Sequence, residues 1–86
     1  MTDKQALFFQ ELKIIQEQVV NMNIHQSDLT KEELLFNVSY DTLVLTMELL
    51  DGYRNMNLEL SDKESKEVLN ENIQLHDGLV DFLKSF

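Results

Sequence analysis

The chain contains no cysteine, no proline and no tryptophan, and only two of its 86 residues are glycine. Without cysteine there can be no disulfide framework, thiol nucleophile or zinc ribbon. Without proline, and with glycine only at positions 52 and 78, the backbone carries few obligatory breaks, so long helices are expected. Cations are scarce as well: 7 Lys and Arg stand against 16 Asp and Glu, a formal net charge of −9, and Arg54 is the sole arginine. Phosphate backbones are gripped by clustered cations, so direct nucleic-acid binding is not expected. Long hydrophobic runs are missing too. The most apolar window, Leu34 to Leu50, is interrupted by Asn37, Asp41 and Glu48, whereas a membrane span needs about 20 mostly apolar residues. The first ten residues mix charged and apolar side chains too early for a secretory leader. The expectation is a cytoplasmic protein of one small helical domain over residues 1–86, with no membrane association.

What is present is helical periodicity. Phe8, Leu12, Ile15, Val19 and Met22 step by three and four along one seam. Thr2 and Gln5 have the spacing of a capping box, and the first helix is expected at about 3–24. The second start signal is stronger. Thr30 as N-cap has Glu33 three residues on, and Leu29 and Leu34 flank them at staple positions. The pattern runs to Leu50, and Asp51-Gly52 supplies a stop because glycine accepts the left-handed conformation that ends helices. The second helix is therefore expected at about 31–51. A third is expected at about 62–85, opened by Ser61 with Glu64. Wound at 100° per residue, Val68, Leu69, Ile73, Leu75, Leu79, Val80, Phe82, Leu83 and Phe86 share one half of the wheel, and Gly78 falls among acids on the other. The linker 52–61 alternates Met56, Leu58 and Leu60 with polar residues, the period of a short strand or of an extended connector. The fold class expected is all-α, an antiparallel three-helix bundle.

The second helix has two apolar faces. Leu34, Leu35, Val38, Leu45 and Leu49 make one; Phe36, Tyr40, Leu43, Val44, Met47 and Leu50 make the other. A helix apolar nearly all round must be buried nearly all round, and two neighbours in a three-helix monomer do not suffice. Self-association is the simplest completion, a two-fold dimer through Phe36, Tyr40, Leu43, Met47 and Leu50. A permanent partner of another kind, or long polar stems lying over the excess, are the alternatives.

Catalytic patterns are thin. His25 falls at the end of helix one and His76 on the apolar arc of helix three, where a hydrogen bond to Asn72 is the plain expectation. No Glu-x-x-His, H-E-x-x-H, G-x-S-x-G, G-x-G-x-x-G or Walker pattern occurs. Residues 51–62 have the length of a calcium loop, with Asp51, Asn55, Glu59 and Asp62 at ligand positions. Yet Tyr53 takes the third place, Met56 stands where glycine must turn the chain, and Asp62 is too short for the bidentate twelfth ligand. Glu32-Glu33 and Glu48-x-x-Asp51 faintly resemble the E-E and E-x-x-D helical motifs of the all-α nucleotide pyrophosphohydrolases, which hold magnesium between two helices. Both clusters lie on one helix about 22 Å apart at 1.5 Å per residue, so a shared site would have to form across a dimer. Phe36 and Asn37 also stand where a further glutamate would be wanted.

The expectation is thus no enzyme, no metal and no cofactor. The chain reads as a small acidic interaction protein (a regulator, adaptor or accessory protein), with Tyr53, Arg54 and Met56 as candidate contacts because an aromatic beside the sole arginine resembles hot-spot composition. One alternative uses the charge, which leans toward Glu64, Glu67, Glu71, Asp77 and Asp81: a nucleic-acid mimic or inhibitor of a basic protein, steered electrostatically. The other is the magnesium-dependent nucleotide hydrolase.

Overall fold

Local hydrogen bonds start the first helix. A computed structural model of the chain describes residues 1–84. Thr2 is extended, its Oγ1 accepts from the Gln5 amide at 3.0 Å, and Gln5 Oε1 accepts from the Thr2 amide at 2.8 Å. This is the capping box expected from the spacing, and α1 runs from it over Asp3–Asn23. Its buried positions are Glu11, Ile15, Val19 and Asn23, a strict four-residue step. The expected seam is therefore right at Ile15 and Val19 and wrong at Met22, which is exposed. Asn23 is a polar end to that stripe with a reason: its Nδ2 donates to Val19 O at 2.9 Å and to Asp41 Oδ2 at 3.0 Å, so burial leaves the amide nitrogen satisfied.

Helix α2 covers Lys31–Leu50. Thr30 Oγ1 accepts from the Glu33 amide at 3.1 Å and donates to Glu33 Oε1 at 3.0 Å, and Leu29 and Leu34 at the staple positions are both half-buried. The stop is a Schellman motif. Tyr53 N donates to Glu48 O at 3.1 Å, Gly52 N donates to Leu49 O at 3.2 Å, and Gly52 takes φ +86°.

The third helix departs from expectation. Helix α3 is only Leu75–Lys84; Ser85 and Phe86, which the apolar phase assigns to it, lie outside the described residues. Where a helix from residue 62 was expected, Asp62 instead closes a single turn. Its Oδ1 accepts from the amides of Glu64 and Ser65, both at 2.9 Å, and Lys66 N donates to Asp62 O at 2.8 Å. Lys66 then turns left-handed, φ +65°. The chain doubles back so that Asp62 N donates to Glu67 O and Leu69 N to Leu60 O, at 2.8 and 2.7 Å, flanking an isolated antiparallel bridge between Ser61 and Val68. Asn72 makes a second reversal at φ +70°, a conformation asparagine tolerates better than most side chains. Residues 56–60 form no strand, and the extended-connector alternative describes them.

The described elements are thus three helices and no strand, with α1 meeting α2 and α3 meeting the C-terminal end of α2. Two compact units divide within α2, one of Met1–Leu43 and one from Val44 onward. In the first, Asn23 at the end of α1 bonds Asp41, ten residues into α2, rather than its first turn. In the second, Asn70 is the hub: its Nδ2 donates to Leu50 O at 2.7 Å and Leu58 O at 2.6 Å, and its Oδ1 accepts from the Leu60 amide at 2.9 Å. One side chain thereby ties the helix end to both sides of the connector. No helix among the described residues is long and apolar enough to cross a membrane.

Candidate functional site

Two places in the molecule hold more than ordinary packing. The first is a clasp at the start of α3. Gln74 precedes this helix, and glutamine is a poor N-cap. The cap comes from Asp51, 24 residues earlier, whose Oδ1 accepts from the Leu75 amide at 2.8 Å and whose Oδ2 accepts from the His76 amide at 2.9 Å. The same Oδ2 lies 2.6 Å from His76 Nδ1. His76 Nε2 is 3.3 Å from Asp77 Oδ1, and the Tyr53 ring meets the imidazole edge-on, centroids 5.0 Å apart. The Asp51 side chain is 1% exposed and that of His76 15%.

The charges in the clasp support one another. The hydrogen bond that His76 donates to Asp51 holds the imidazole above its ordinary 6.5; burial opposes this, and the negative charges of Asp77, Asp51 and Glu48 add to it. For Asp51, burial alone would raise the carboxyl. The amide and imidazole donors of His76 and the amide of Leu75 outweigh it, leaving the group below its ordinary 3.8. Asp51 faces one imidazole nitrogen and Asp77 the other, and whenever the ring is protonated it has no lone pair with which to ligate a metal. What the arrangement can do chemically is fasten α3. His76 is therefore held by Asp51 and not by Asn72, whose left-handed turn lies before the helix begins. Composition gave no hint of this pair. The signal available was the uncapped start at Gln74, legible only once the helix is known to begin at Leu75.

The second place is the outer side of α2. Leu34, Val38 and Asp41 are half-buried, and Asp41 bonds Asn23. On the opposite side of the same turns Leu35, Phe36, Ser39, Tyr40 and Leu43 are exposed. Leu35, Phe36 and Ser39 line an open groove together with Lys31 and Glu32, and Phe36 also borders a hollow beside Leu29 and Asn37. Of the five residues expected to form an oligomer face, Phe36, Tyr40 and Leu43 are exposed while Met47 and Leu50 are half-buried. Leu35, expected on the inner face, joins the outer one.

The remaining candidates are dispersed. Tyr53 is exposed but engaged with His76, Arg54 is half-buried, and Met56 is buried with the core apolar residues. The expected exposure of Met56 is thus corrected: the connector turns this side chain inward. In the calcium-length loop, both carboxylate oxygens of Asp51 and Oδ1 of Asp62 accept from backbone amides. Of the paired carboxylates, Glu33 is bound to Thr30 and Asp51 to α3. Among the described residues no group of three or more His, Asp or Glu is placed to hold a metal ion. His25 is exposed in the turn after α1, where its carbonyl accepts from the Ser27 amide at 2.9 Å. Compared with protein-family models, with curated proteins and with solved structures, the chain matches none.

Proposed function

We propose that this chain works by binding protein, as a small non-enzymatic regulator, adaptor or accessory module. The observation that carries the reading is the outer side of α2. Phe36 is 68% exposed, and Leu35, Tyr40 and Leu43 lie open with it on neighbouring turns. Scattered single apolar residues are normal on a surface, but a contiguous set on one helix face marks an interaction site. The dry core is correspondingly small: among the described residues the buried apolar side chains are Ile15, Val19, Leu49 and Met56.

A photo-crosslinking amino acid placed at Phe36 in native cells tests this, with Glu17 on the exposed side of α1 as the comparison position. Protein adducts from position 36 and none from position 17 are expected. Adducts from neither, or equally from both, would remove the reading.

A further inference from the structure

We infer that the occupant of the outer α2 face is a second copy of this chain, packed antiparallel about a two-fold axis passing near Ser39. This rests on the proposed binding role of that face and names its partner. Leu35, Ser39 and Leu43 succeed one another at four-residue spacing and form one ridge; Phe36 and Tyr40 form the next, leaving a groove of the same pitch between them. A surface with both a ridge and a matching groove fits its own two-fold copy, the four-on-four packing commonest between helices. In the antiparallel register Leu35 of one copy meets Leu43 of the other, and the small Ser39 lets the helices approach at the axis.

Two hydroxyls beside this seam are already bonded within the helix. Ser39 Oγ donates to Phe36 O at 3.1 Å and Thr42 Oγ1 donates to Val38 O at 2.7 Å, so pairing strands neither hydroxyl. Charge also permits a like partner. Between Leu34 and Met47 the single charged residue is Asp41, turned away toward Asn23, so the −9 of each chain stays off the seam. A basic partner would seek the acids elsewhere; this strip suits a neutral, apolar, helical one, which the chain itself supplies. Antiparallel packing also keeps the Lys31-Glu32 ends apart and opposes the helix dipoles.

The area sets the strength. At roughly 200 Å² for a large side chain, exposures of 60, 68, 39 and 46% at Leu35, Phe36, Tyr40 and Leu43 leave on the order of 400 Å² open per copy. Two copies cover on the order of 800 Å² with these side chains, at the small end of interfaces and below the roughly 1,000 Å² that a stable specific one clears. The dimer is accordingly weak, with a dissociation constant of roughly micromolar order.

Sedimentation equilibrium of the full chain from about 1 to about 300 µM spans that order. The weight-average mass is expected to climb from one chain toward two. Phe36→Asp should hold it at one chain with an unchanged helical circular dichroism spectrum, while Val20→Asp, exposed on α1, should leave the rise intact. Because the chain lacks cysteine, Ser39→Cys should cross-link to a covalent dimer under mild oxidation and Val20→Cys should not. A single-chain mass at the highest concentration overturns the inference, as does a rise that Phe36→Asp leaves untouched. So does failure of Ser39→Cys to cross-link in a sample that sediments as two chains. If the chain is monomeric while position 36 still photo-crosslinks a different protein, the binding role stands and the second copy falls.

Discussion

Replacing Asp51 by alanine removes three acceptor contacts at once: those to the Leu75 amide, the His76 amide and the His76 imidazole, at 2.8, 2.9 and 2.6 Å. The two amides are orphan donors of the first turn of α3, and losing such a cap costs about 1 kcal/mol. The imidazole contact is charge-assisted and largely out of water, adding about 1.5–3 kcal/mol. The expected destabilisation is therefore about 3 kcal/mol near pH 6, read from urea unfolding in the Phe36→Asp background so that association does not contribute. The sign with pH follows from the two shifts. His76 has its folded pKa raised above 6.5, so its contribution is full below 6.5 and fades as pH rises through the folded value. Asp51 is lowered below 3.8, so its contribution is present above 3.8 and fades as pH falls through the folded value. The wild-type chain should lose stability on passing from pH 6 to mildly alkaline solution, and Asp51→Ala should flatten that slope. Amide exchange in α3 should accelerate before exchange in α1 does. A loss below about 0.5 kcal/mol at pH 6, the scale of an ordinary surface substitution, would refute the clasp. A pH slope identical in both proteins would refute it as well.

The other expectations come from single side chains. Asn70→Ala forfeits three hydrogen bonds and should cost about 2–4 kcal/mol, a drop in melting temperature above about 10 °C. Asn70→Asp should be no better, since a carboxylate cannot donate to the Leu50 and Leu58 carbonyls; recovery of the wild-type melting temperature by aspartate would count against the hub. The two glycines should respond with opposite signs. Gly52→Ala places a Cβ on a backbone at φ +86° and should lose about 1 kcal/mol. Gly78→Ala lies within α3, its Cβ meeting Ile73 Cδ1 at an ordinary 3.9 Å, and should gain about 0.5–1 kcal/mol. Equal thermal shifts from the two would contradict the assigned backbone.

The starts of α1 and α2 and the stop of α2 were legible in the sequence because every bond that makes them spans at most five residues. Thr2 meets Gln5, Thr30 meets Glu33, and Gly52 turns the chain under the last carbonyls of α2. The two-faced character of α2 was legible for a related reason: its 100° winding is intrinsic to the helix. Which residues lay on the open face was not, and Leu35, Met47 and Leu50 changed sides. Their burial depends on which neighbour reaches which turn, and the Asn23–Asp41 bond reports that reach only in three dimensions.

Residues 62–74 mark where local reasoning gave out. The apolar phase runs unbroken from Val68 to Leu83, and Ser61 with Glu64 has capping spacing, so nothing nearby argues against a helix. The deciding bonds come from far along the chain. Asn70 is claimed by Leu50, Leu58 and Leu60, and Val68 lies opposite Ser61. Asp51 then caps α3 at Leu75. A helix through Asn70 would forfeit those contacts to gain backbone bonds that the hairpin partly supplies already. The same long-range capture turned Asp51 from a helix stop into the residue that fastens His76, and turned Met56 inward. Sequence alone thus determined an acidic, cysteine-free, helical chain and the ends formed by neighbouring residues. Tertiary structure decided the length of the last helix, the partner of the histidine and the face left open, because each depends on donors and acceptors that only folding brings within 3 Å.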